Sequence, residues 1–314
     1  MNPLSAIYGA AVRGRNRLYD RSLLKARRLS GPVISVGNIS VGGSGKTPFV
    51  ILLGGLLKER GISFDVLSRG YGRKTRGVLA VDPSGSPRDF GDEPILIAKR
   101  LGCPVIVGES RYQAGLFAEG KFGAQLHILD DGFQHRSLAR DFDIVLVSAD
   151  DACGQLLPAG RLREPLSSLC RANAVVVPAE GDSSAFELGQ QPIWRTRRSV
   201  AVSGVPPRPV AFCGIARPQQ FINQLRDAGI APVATKFYHD HHAYSEEDAR
   251  ELAALREQNQ GGGFITTEKD AINLGPLLPS LAQVAVARVV MELLDPADAL
   301  DTILRAIRDR RPQP

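Results

Sequence analysis

Residues 40–47, SVGGSGKT, have the composition of a phosphate-binding loop. Such loops usually read glycine, four residues of any type, then Gly-Lys-Ser/Thr. Here residues 45–47 match the end of the pattern, and Ser40 stands in place of the first glycine. Lys46 would place its charge on the β- and γ-phosphates, and Thr47 would offer a hydroxyl to magnesium. The segment predicts a nucleotide site formed by Ser40, Val41, Gly42, Gly43, Ser44, Gly45, Lys46 and Thr47.

Two pairs of acidic residues could complete such a site. Asp130 and Asp131 follow an apolar run in LHILDDGFQHR, the position at which phosphate-loop enzymes hold magnesium. Side chains alternate along an extended chain, so the two carboxylates cannot both point the same way. Asp92 and Glu93 in FGDEP stand at a predicted helix start, where acids also interact favourably with the helix dipole.

Histidines cluster in FYHDHHAYS, residues 237–245, which holds three of the five in the chain. Histidine is the usual residue for moving a proton near neutral pH and is also a common metal ligand. From the residues alone, the acid–base and metal interpretations both stay open. The four cysteines are scattered without a CxxC pair, which argues against a cysteine zinc site and a disulfide framework.

Apolar, β-branched runs alternate with helical patterns along the chain and would position these residues. Strands are predicted at 32–36, 64–68, 104–108, 125–130, 142–148 and 173–179, and the phosphate loop joins the first of them to a helix beginning near Pro48. Continuous apolar strands of this kind indicate a parallel sheet covered by helices on both faces. Its ligands would bind beyond the carboxyl ends of the strands. The predicted fold class is therefore α/β, with a P-loop NTPase-like parallel sheet.

The alternation breaks between residues 181 and 209, where polar and turn-forming residues dominate and IWRTRRSVAV could form an extended connector. Further strand patterns follow in VAFCGI, APVATKFY, GGFITTE and VAVARVV, with helices between them. We therefore predict a core domain at residues 31–200 and a second, smaller α/β domain at residues 201–314.

Basic residues are concentrated at the N-terminus. Residues 1–30 carry a local net charge of +6, equal to that of the whole chain, so no basic nucleic-acid-binding face is predicted elsewhere. Apolar residues recur among these arginines at loosely helical spacing. The pattern fits an amphipathic helix on an anionic membrane surface, and equally a basic helix packed on its own domain. No apolar run is long enough for a transmembrane helix, and arginines interrupt the place of a signal-peptide core.

Eight motifs in order resemble those of the tetraacyldisaccharide 4'-kinases, which phosphorylate the lipid A disaccharide precursor of Gram-negative bacteria. They lie between residue 31 and about residue 271 and read VGNISVGGSGKTP, LSRGYGR, GDEP, LDDGFQH, LLPAGRLREP, FCGIARPQQF, DHHAYS and TTEKDA. A serine or threonine at position 40 is similar to the family's own form of the loop. The resemblance implies ATP and Mg²⁺ as cofactors, and transfer of the γ-phosphoryl group to the 4'-hydroxyl of tetraacyldisaccharide 1-phosphate.

The resemblance also implies roles for individual residues. Asp92 and His241, with His242 behind it, would take the proton of the acceptor hydroxyl, which is a poor nucleophile until deprotonated. If the two domains supply one residue each, the domains must close for reaction, which would also exclude water. Magnesium ligands would be Thr47, Asp130, Asp131 and Glu164. The nucleotide and the lipid headgroup, with its 1-phosphate, would be bound by Arg69, Tyr71, Gln134, His135, Arg161 and Arg163.

The family resemblance places the chain at the cytoplasmic face of the bacterial inner membrane, as a peripheral protein whose N-terminal helix, residues 1–30, contacts the membrane surface. No nucleic acid and no obligate protein partner are expected. The alternatives are a P-loop NTPase switch or metallochaperone that uses the histidine cluster, a nucleic-acid-stimulated ATPase, and a membrane adaptor with a degenerate loop. The roles of Glu268, Lys269 and Asp270 in TTEKDA are left open, beyond a capped helix at a strand end.

Overall fold

The structure is a computed structural model that describes residues 2–181, 184–186 and 188–311. Its strands form a sheet in the order β10-β9-β11-β12-β8-β7-β6-β1-β5-β2-β4-β3. Neighbouring strands run parallel except for the pairs β12/β8 and β3/β4. The strands are β1 Val33–Asn38, β2 Phe64–Ser68, β3 Leu79–Ala80, β4 Val105–Val107, β5 Leu126–Asp130, β6 Phe142–Leu146, β7 Ala174–Pro178, β8 Ile193–Ala201, β9 Pro209–Cys213, β10 Ala234–Phe237, β11 Gly263–Thr267 and β12 Val284–Leu293.

Helices cover the sheet. The α-helices are α1 Pro3–Asp20, α2 Lys46–Glu59, α3 Pro87–Phe90, α4 Asp92–Leu101, α5 Arg111–Phe122, α6 Ala149–Ala152, α7 Pro218–Asp227, α8 Glu246–Gln258, α9 Glu268–Leu274 and α10 Pro296–Arg310. Short 3₁₀ helices lie at Leu166–Arg171 and Gly275–Ser280. Within the described ranges, none of these helices has both the length and the apolar character needed to cross a bilayer.

The mixed α/β fold with its large, mostly parallel sheet confirms the predicted class. Every residue of β1, β2 and β5 is buried, which explains why these strands read as continuous apolar runs and not as alternating ones. The predicted connector at 193–202 forms a regular strand, β8, because β7 pairs with one edge of it and β12 with the other.

Strand β12 joins the two halves of the sheet. Its first part, Val284 to Ala287, pairs with β11, and its second part, Arg288 to Leu293, pairs with β8. The following helix, α10, then packs its apolar face into the same hydrophobic cluster as α2 and β1. The division predicted at residue 200 assigns α10 to the smaller unit, whereas the helix lies on the larger one because β12 carries the chain back across the sheet.

Helix α1 has an unusual distribution of side chains. Its buried residues are small or polar, namely Ser5, Gly9 and Asn16, while Leu4 and Ile7 are 60% and 67% exposed. The polar residues are satisfied by the core, since Ser5 Oγ donates to the carbonyl of Leu156 at 2.9 Å and Asn16 Nδ2 donates to Glu164 at 2.7 Å. The helix therefore packs through polar contacts and leaves apolar side chains in solvent.

Candidate active site

The phosphate loop lies where the sequence predicts it, between β1 and α2. Gly42 and Gly45 have φ angles of 82° and 86°, a left-handed conformation that residues with a side chain rarely adopt. The loop is also crowded, because a Cβ on Gly42 would lie 2.7 Å from the guanidinium of Arg161. Asn38 reinforces it by donating to the carbonyl of Ser40 at 2.7 Å and to the hydroxyl of Ser44 at 2.8 Å. Helix α2 begins at Lys46, so its first N–H groups face the loop.

Asp130 and Asp131 point in different directions, as two residues at a strand end must. Asp131 has a φ of 49°, which turns the chain away from the strand direction. Its carboxylate accepts from Arg163 Nη1 at 2.9 Å and lies 3.4 Å from the ammonium of Lys46. Burial alone would raise the pKa of Asp131, but Lys46 and Arg163 hold it below its ordinary value.

Asp130 has the opposite electrostatics. One of its oxygens accepts from the hydroxyl of Ser68 at 3.0 Å, and the other, Oδ1, is buried without a hydrogen-bond partner among the described residues. Burial, followed by the negative charges of Glu93 and Asp131, raises its pKa to about 7. A buried carboxylate beside two like charges needs a cation before it can ionise fully at neutral pH.

Asp92 and His241, which are 149 positions apart, are in direct contact. The imidazole Nδ1 lies 2.8 Å from Asp92 Oδ2 and 3.0 Å from Oδ1. Asp92 is only 4% exposed and opens α4, and its Oδ1 also accepts from the backbone N–H of Glu93 at 2.8 Å. Burial opposes its charge, but the hydrogen bond from His241 and the charge of Lys269 lower the pKa of Asp92 to about 2. The carboxylate is ionised at neutral pH, so Nδ1 must carry the proton.

His241 is held from both sides. It has a φ of 58°, a rare conformation for histidine that its N–H supports by donating to the carbonyl of Gly214 at 3.2 Å. The ring of Tyr71 lies 5.2 Å away, centroid to centroid. Although burial would lower the pKa of His241, the hydrogen bond to Asp92 raises it above its ordinary value. With Nδ1 occupied, Nε2 is the nitrogen free to accept a proton.

Two residues of α9 complete the surroundings of Asp92. Asn273 Nδ2 donates to Asp92 Oδ2 at 3.1 Å, and Lys269 Nζ lies 3.1 Å from Glu93 Oε1 and 3.9 Å from Asp92 Oδ2. Carboxylates around Lys269 raise its pKa despite its burial, so it stays charged. In the same helix, Glu268 accepts from Arg100 of α4 through both carboxylate oxygens, at 2.9 and 3.0 Å. Ion pairs thus join α4 to α9 directly beside the proposed base.

A cavity of about 730 Å³ connects these groups. Besides loop residues 41–47, its lining includes predicted site residues from several elements: Arg69, Tyr71, Asp130, Asp131, Gln134, Arg163 and His241. The rest of the lining mixes apolar residues, such as Ile51, Leu96 and Phe221, with charged ones, such as Arg198 and Lys269.

Five predicted residues do not line the cavity, namely Ser40, Asp92, His135, Arg161 and Glu164. Asp92 lies behind His241. Ser40 is buried at the start of the loop, and Arg161 supports the loop by donating to the carbonyl of Val41 at 2.8 Å. His135 contacts the hydroxyl of Ser137 at 3.0 Å, and burial together with nearby arginines lowers its pKa to about 4. Its role as a substrate ligand stays a prediction.

Glu164, predicted as a magnesium ligand, is 2% exposed and occupied by protein partners. Its carboxylate accepts from Arg171 at 2.9 and 3.2 Å, from Asn16 at 2.7 Å and from Gln134 at 3.2 Å. These contacts make it the anchor of α1, and nothing in this arrangement supports the metal role, which remains an untested prediction.

The other two histidines of residues 237–245, His239 and His242, form a separate cluster. His242 Nδ1 lies 2.9 Å from His239 Nε2, and His242 Nε2 lies 3.0 Å from Asp248, which also caps α8. His242 therefore faces away from Asp92. Across the described ranges, no group of three or more His, Cys, Asp or Glu side chains is arranged to hold a metal ion.

The sequence of this chain is similar to those of known kinases. The sequence profile described as tetraacyldisaccharide-1-P 4'-kinase matches residues 1–308. The chain belongs to the tetraacyldisaccharide 4'-kinase family. It is 50% identical to the tetraacyldisaccharide 4'-kinase of Koribacter versatilis over 99% of this chain and 100% of that protein. Identity to the Geobacter metallireducens kinase is 39%, over 96% of both chains.

A solved structure of this family is also similar. The "apo" form of LpxK from Aquifex aeolicus, in complex with ATP, is 36% identical and superimposes with a TM-score of 0.80 over 97% of this chain and 98% of that one. Several cavity or contact residues were given no role from the sequence: Arg198, Arg217, Lys269 and Asn273. Arg217 and Lys269 lie inside the motifs FCGIARPQQF and TTEKDA, which the sequence does reveal, whereas Arg198 and Asn273 gave no signal of a site.

Proposed function

We propose that this protein transfers the γ-phosphoryl group of ATP to the 4'-hydroxyl of tetraacyldisaccharide 1-phosphate. The observation that carries the proposal is the contact between Asp92 and His241 in a cavity that also contains the phosphate loop. A sugar hydroxyl needs a base before it attacks, and a kinase of this kind must hold base and nucleotide in one site.

In the proposed reaction each residue of the site has a separate role. Lys46 neutralises charge on the β- and γ-phosphates, while Asp131 and Arg163 hold the lysine and the end of the strand in place. His241 Nε2 accepts the proton of the 4'-hydroxyl as the oxygen attacks. Asp92 fixes the Nδ1–H tautomer and stabilises the imidazolium that forms. Asp92 is a positioning residue here, because its carboxylate is buried behind the ring.

The residues near Lys46 also fit a magnesium ion. The unpartnered Oδ1 of Asp130 and the raised pKa of its carboxyl both indicate a missing positive charge. Asp130, Glu93 and the hydroxyl of Thr47 would hold the ion, which usually keeps waters and phosphate oxygens as its other ligands. When bound, magnesium supplies charge neutralisation at the phosphates.

The acceptor would enter from the side of α1. Tyr8 lines the cavity and donates to the carbonyl of Arg163 at 3.0 Å, so the helix reaches the site itself. Exposed Leu4 and Ile7 among arginines fit adsorption to an anionic membrane, in which the lipid acceptor would be embedded. Arg69 is exposed and lines the cavity, where it is suited to a substrate phosphate.

The direct test is to incubate the protein with ATP, Mg²⁺ and tetraacyldisaccharide 1-phosphate in detergent or vesicles, and to identify the product by mass spectrometry. A product phosphorylated at the 4'-hydroxyl supports the proposal. Omitting the lipid should leave ATP intact, because water lacks the positioning that the lipid provides. ATP hydrolysis that is equally fast with and without the lipid would contradict the proposal.

A further inference from the structure

Three arginines from three different segments surround the glycines of the phosphate loop. Arg161 lies against Gly42, and the side chain of Arg217, which precedes α7, lies 3.1 Å from the place a Cβ on Gly43 would occupy. Arg198 of β8 approaches Gly45, with Nη1 3.7 Å from the corresponding position. The loop therefore contacts the strand pair β8/β12 as well as its own domain.

The side chain of Arg198 differs from the other two in having no polar partner among the described residues. Although the backbone of Arg198 pairs with β12, its guanidinium makes no hydrogen bond or ion pair with the residues that the structure describes, and its Nε is buried without an acceptor. Arg161 donates to the carbonyl of Val41, and Arg217 Nη2 lies 3.3 Å from the exposed carboxylate of Asp150. Arg198 and Arg217 both line the cavity.

The unpaired guanidinium of Arg198 destabilises the folded protein when no anion is bound. Burying an unpaired guanidinium is unfavourable, and a second guanidinium close by adds repulsion. Both effects act on Arg198, since burial and then the charge of Arg217 lower its pKa. The other cation at this end of the loop, Lys46, is already 3.4 Å from Asp131. An anion between the loop and β8 would remove the penalty.

The phosphate loop also lacks one backbone hydrogen-bond donor, which Arg198 could replace. Backbone N–H groups at the helical end of such loops cradle the phosphates. Here Pro48 stands in the first turn of α2 and has no N–H, so the cradle lacks one donor at the end nearest Gly45. A guanidinium offers several donors in a planar fork that suits phosphate oxygens.

We propose that Arg198 binds the phosphate chain of the nucleotide from outside the phosphate loop, which makes the β8/β12 strand pair part of the nucleotide site. The inference rests on the proposed function for the identity of the nucleotide as ATP. It adds a ligand-binding residue on the strand pair that joins the two halves of the sheet. Arg217 contributes less, because Asp150 already neutralises part of its charge.

The test compares Arg198→Ala and Arg198→Gln with Arg197→Ala. Arg197 is the preceding residue of β8, carries the same charge and is exposed, with Glu180 at 3.7 Å, so it controls for charge loss on the same strand. Binding of ATP, ADP and adenosine to the full-length proteins would be measured by calorimetry. Thermal unfolding without nucleotide would verify folding, and Arg198→Gln retains most of the side chain if the alanine variant is unstable.

We expect the dissociation constants of ATP and ADP to rise about 10- to 100-fold in both Arg198 variants, as for loss of a charge-assisted hydrogen bond. Adenosine binding and the Arg197→Ala protein should be unchanged. Without nucleotide, Arg198→Gln should unfold at the same or a higher temperature than wild type, because a half-buried unpaired charge is gone.

Equal ATP affinity in wild type and both Arg198 variants would overturn the inference and leave the proposed function intact. An unchanged ATP affinity with a raised KM for the lipid would also overturn it, since Arg198 would then serve the acceptor's 1-phosphate. Failure of wild type to bind ATP would overturn the proposed function, and this inference with it.

Discussion

The contact between Asp92 and His241 makes a specific prediction about pH. Changing Asp92 to Asn removes a buried negative charge 2.8 Å from Nδ1 while preserving the size of the side chain. Activity in wild type should fall as the pH drops through the raised pKa of His241, because the imidazolium cannot accept a proton. In Asp92→Asn this fall in activity should move to lower pH. Burial and the charge of Lys269 both lower the pKa of His241, and in the variant the negative charge of Asp92 no longer opposes them.

The size of the effect follows from the same contact. The pKa of Asp92 is lowered from its ordinary value of 3.8 to about 2. This is a net stabilisation of the carboxylate by roughly 2 kcal/mol, in which His241, Lys269 and Asn273 outweigh the cost of burial. Because part of this coupling is to His241, removal of the charge should lower the pKa of His241 in the variant. The maximum rate should fall by about 10²- to 10⁴-fold, because the tautomer and the imidazolium lose their stabilising charge.

Initial rates at saturating ATP and lipid, measured from about pH 5 to about pH 9, report both quantities. Asp240→Asn is the control, because its carboxylate lies 3.8 Å from Nε2 and does not bond to Nδ1. It should move the acid limb slightly in the same direction and keep most of the maximum rate. An Asp92→Asn profile with its acid limb unmoved, or moved to higher pH, would refute the pairing as the source of the base.

Three further predictions concern other parts of the protein. Lys46→Ala should reduce turnover by about 10²-fold or more and weaken ATP binding less than turnover, because the backbone cradle remains. Single-turnover rates, together with ATP binding measured by calorimetry, would test this. Near-normal turnover would count against it. Asn273→Ala should lower turnover about tenfold with an unchanged KM for ATP, since one hydrogen bond to Asp92 is lost; a change confined to the KM for ATP would argue for another role. Replacing Leu4 and Ile7 by Gln should reduce sedimentation with anionic vesicles while activity on detergent-dispersed lipid is retained, and full sedimentation would exclude these side chains as the membrane contact.

Acid stability gives a separate measurement on Asp92. Because its pKa is lowered in the folded protein, its ionisation stabilises the fold above about pH 4, and that stabilisation is lost as the pH falls through about 2. Wild type should therefore exceed Asp92→Asn in free energy of unfolding by about 2 kcal/mol at neutral pH, and the two should converge in strong acid. A constant difference at all pH values, from chemical denaturation, would show that packing and not ionisation accounts for it.

The sequence by itself determined the buried parallel strands around the phosphate loop, and the loop itself. Runs such as VISV and LHILD are stable mainly as buried parallel strands, because most side chains on both faces of each strand are apolar. Residues 40–47 are adjacent in the chain, so the requirements of phosphate binding are met locally and are visible as a spacing. The acids at 130 and 131 follow for the same reason, since a strand end fixes where they point.

Only the tertiary structure decided which distant residues meet. His241 reaches Asp92 because α4 and the segment after β10 converge, and the sequence supplied that pair only through the resemblance to a known family. The motif LREP suggested Glu164 as a metal ligand, whereas the fold places Asn16 and Arg171 against its carboxylate.

Arg198 gives no signal in the sequence, where it is one of three arginines in a connector. Its position beside Gly45 depends on the antiparallel pairing of β8 with β12, which brings Met291 and Arg198 together over the loop. The pairing of remote strands, and the burial of charge that results, depend on the whole chain. Local residue patterns therefore identify the phosphate loop, and the arrangement of the sheet identifies the groups that surround it.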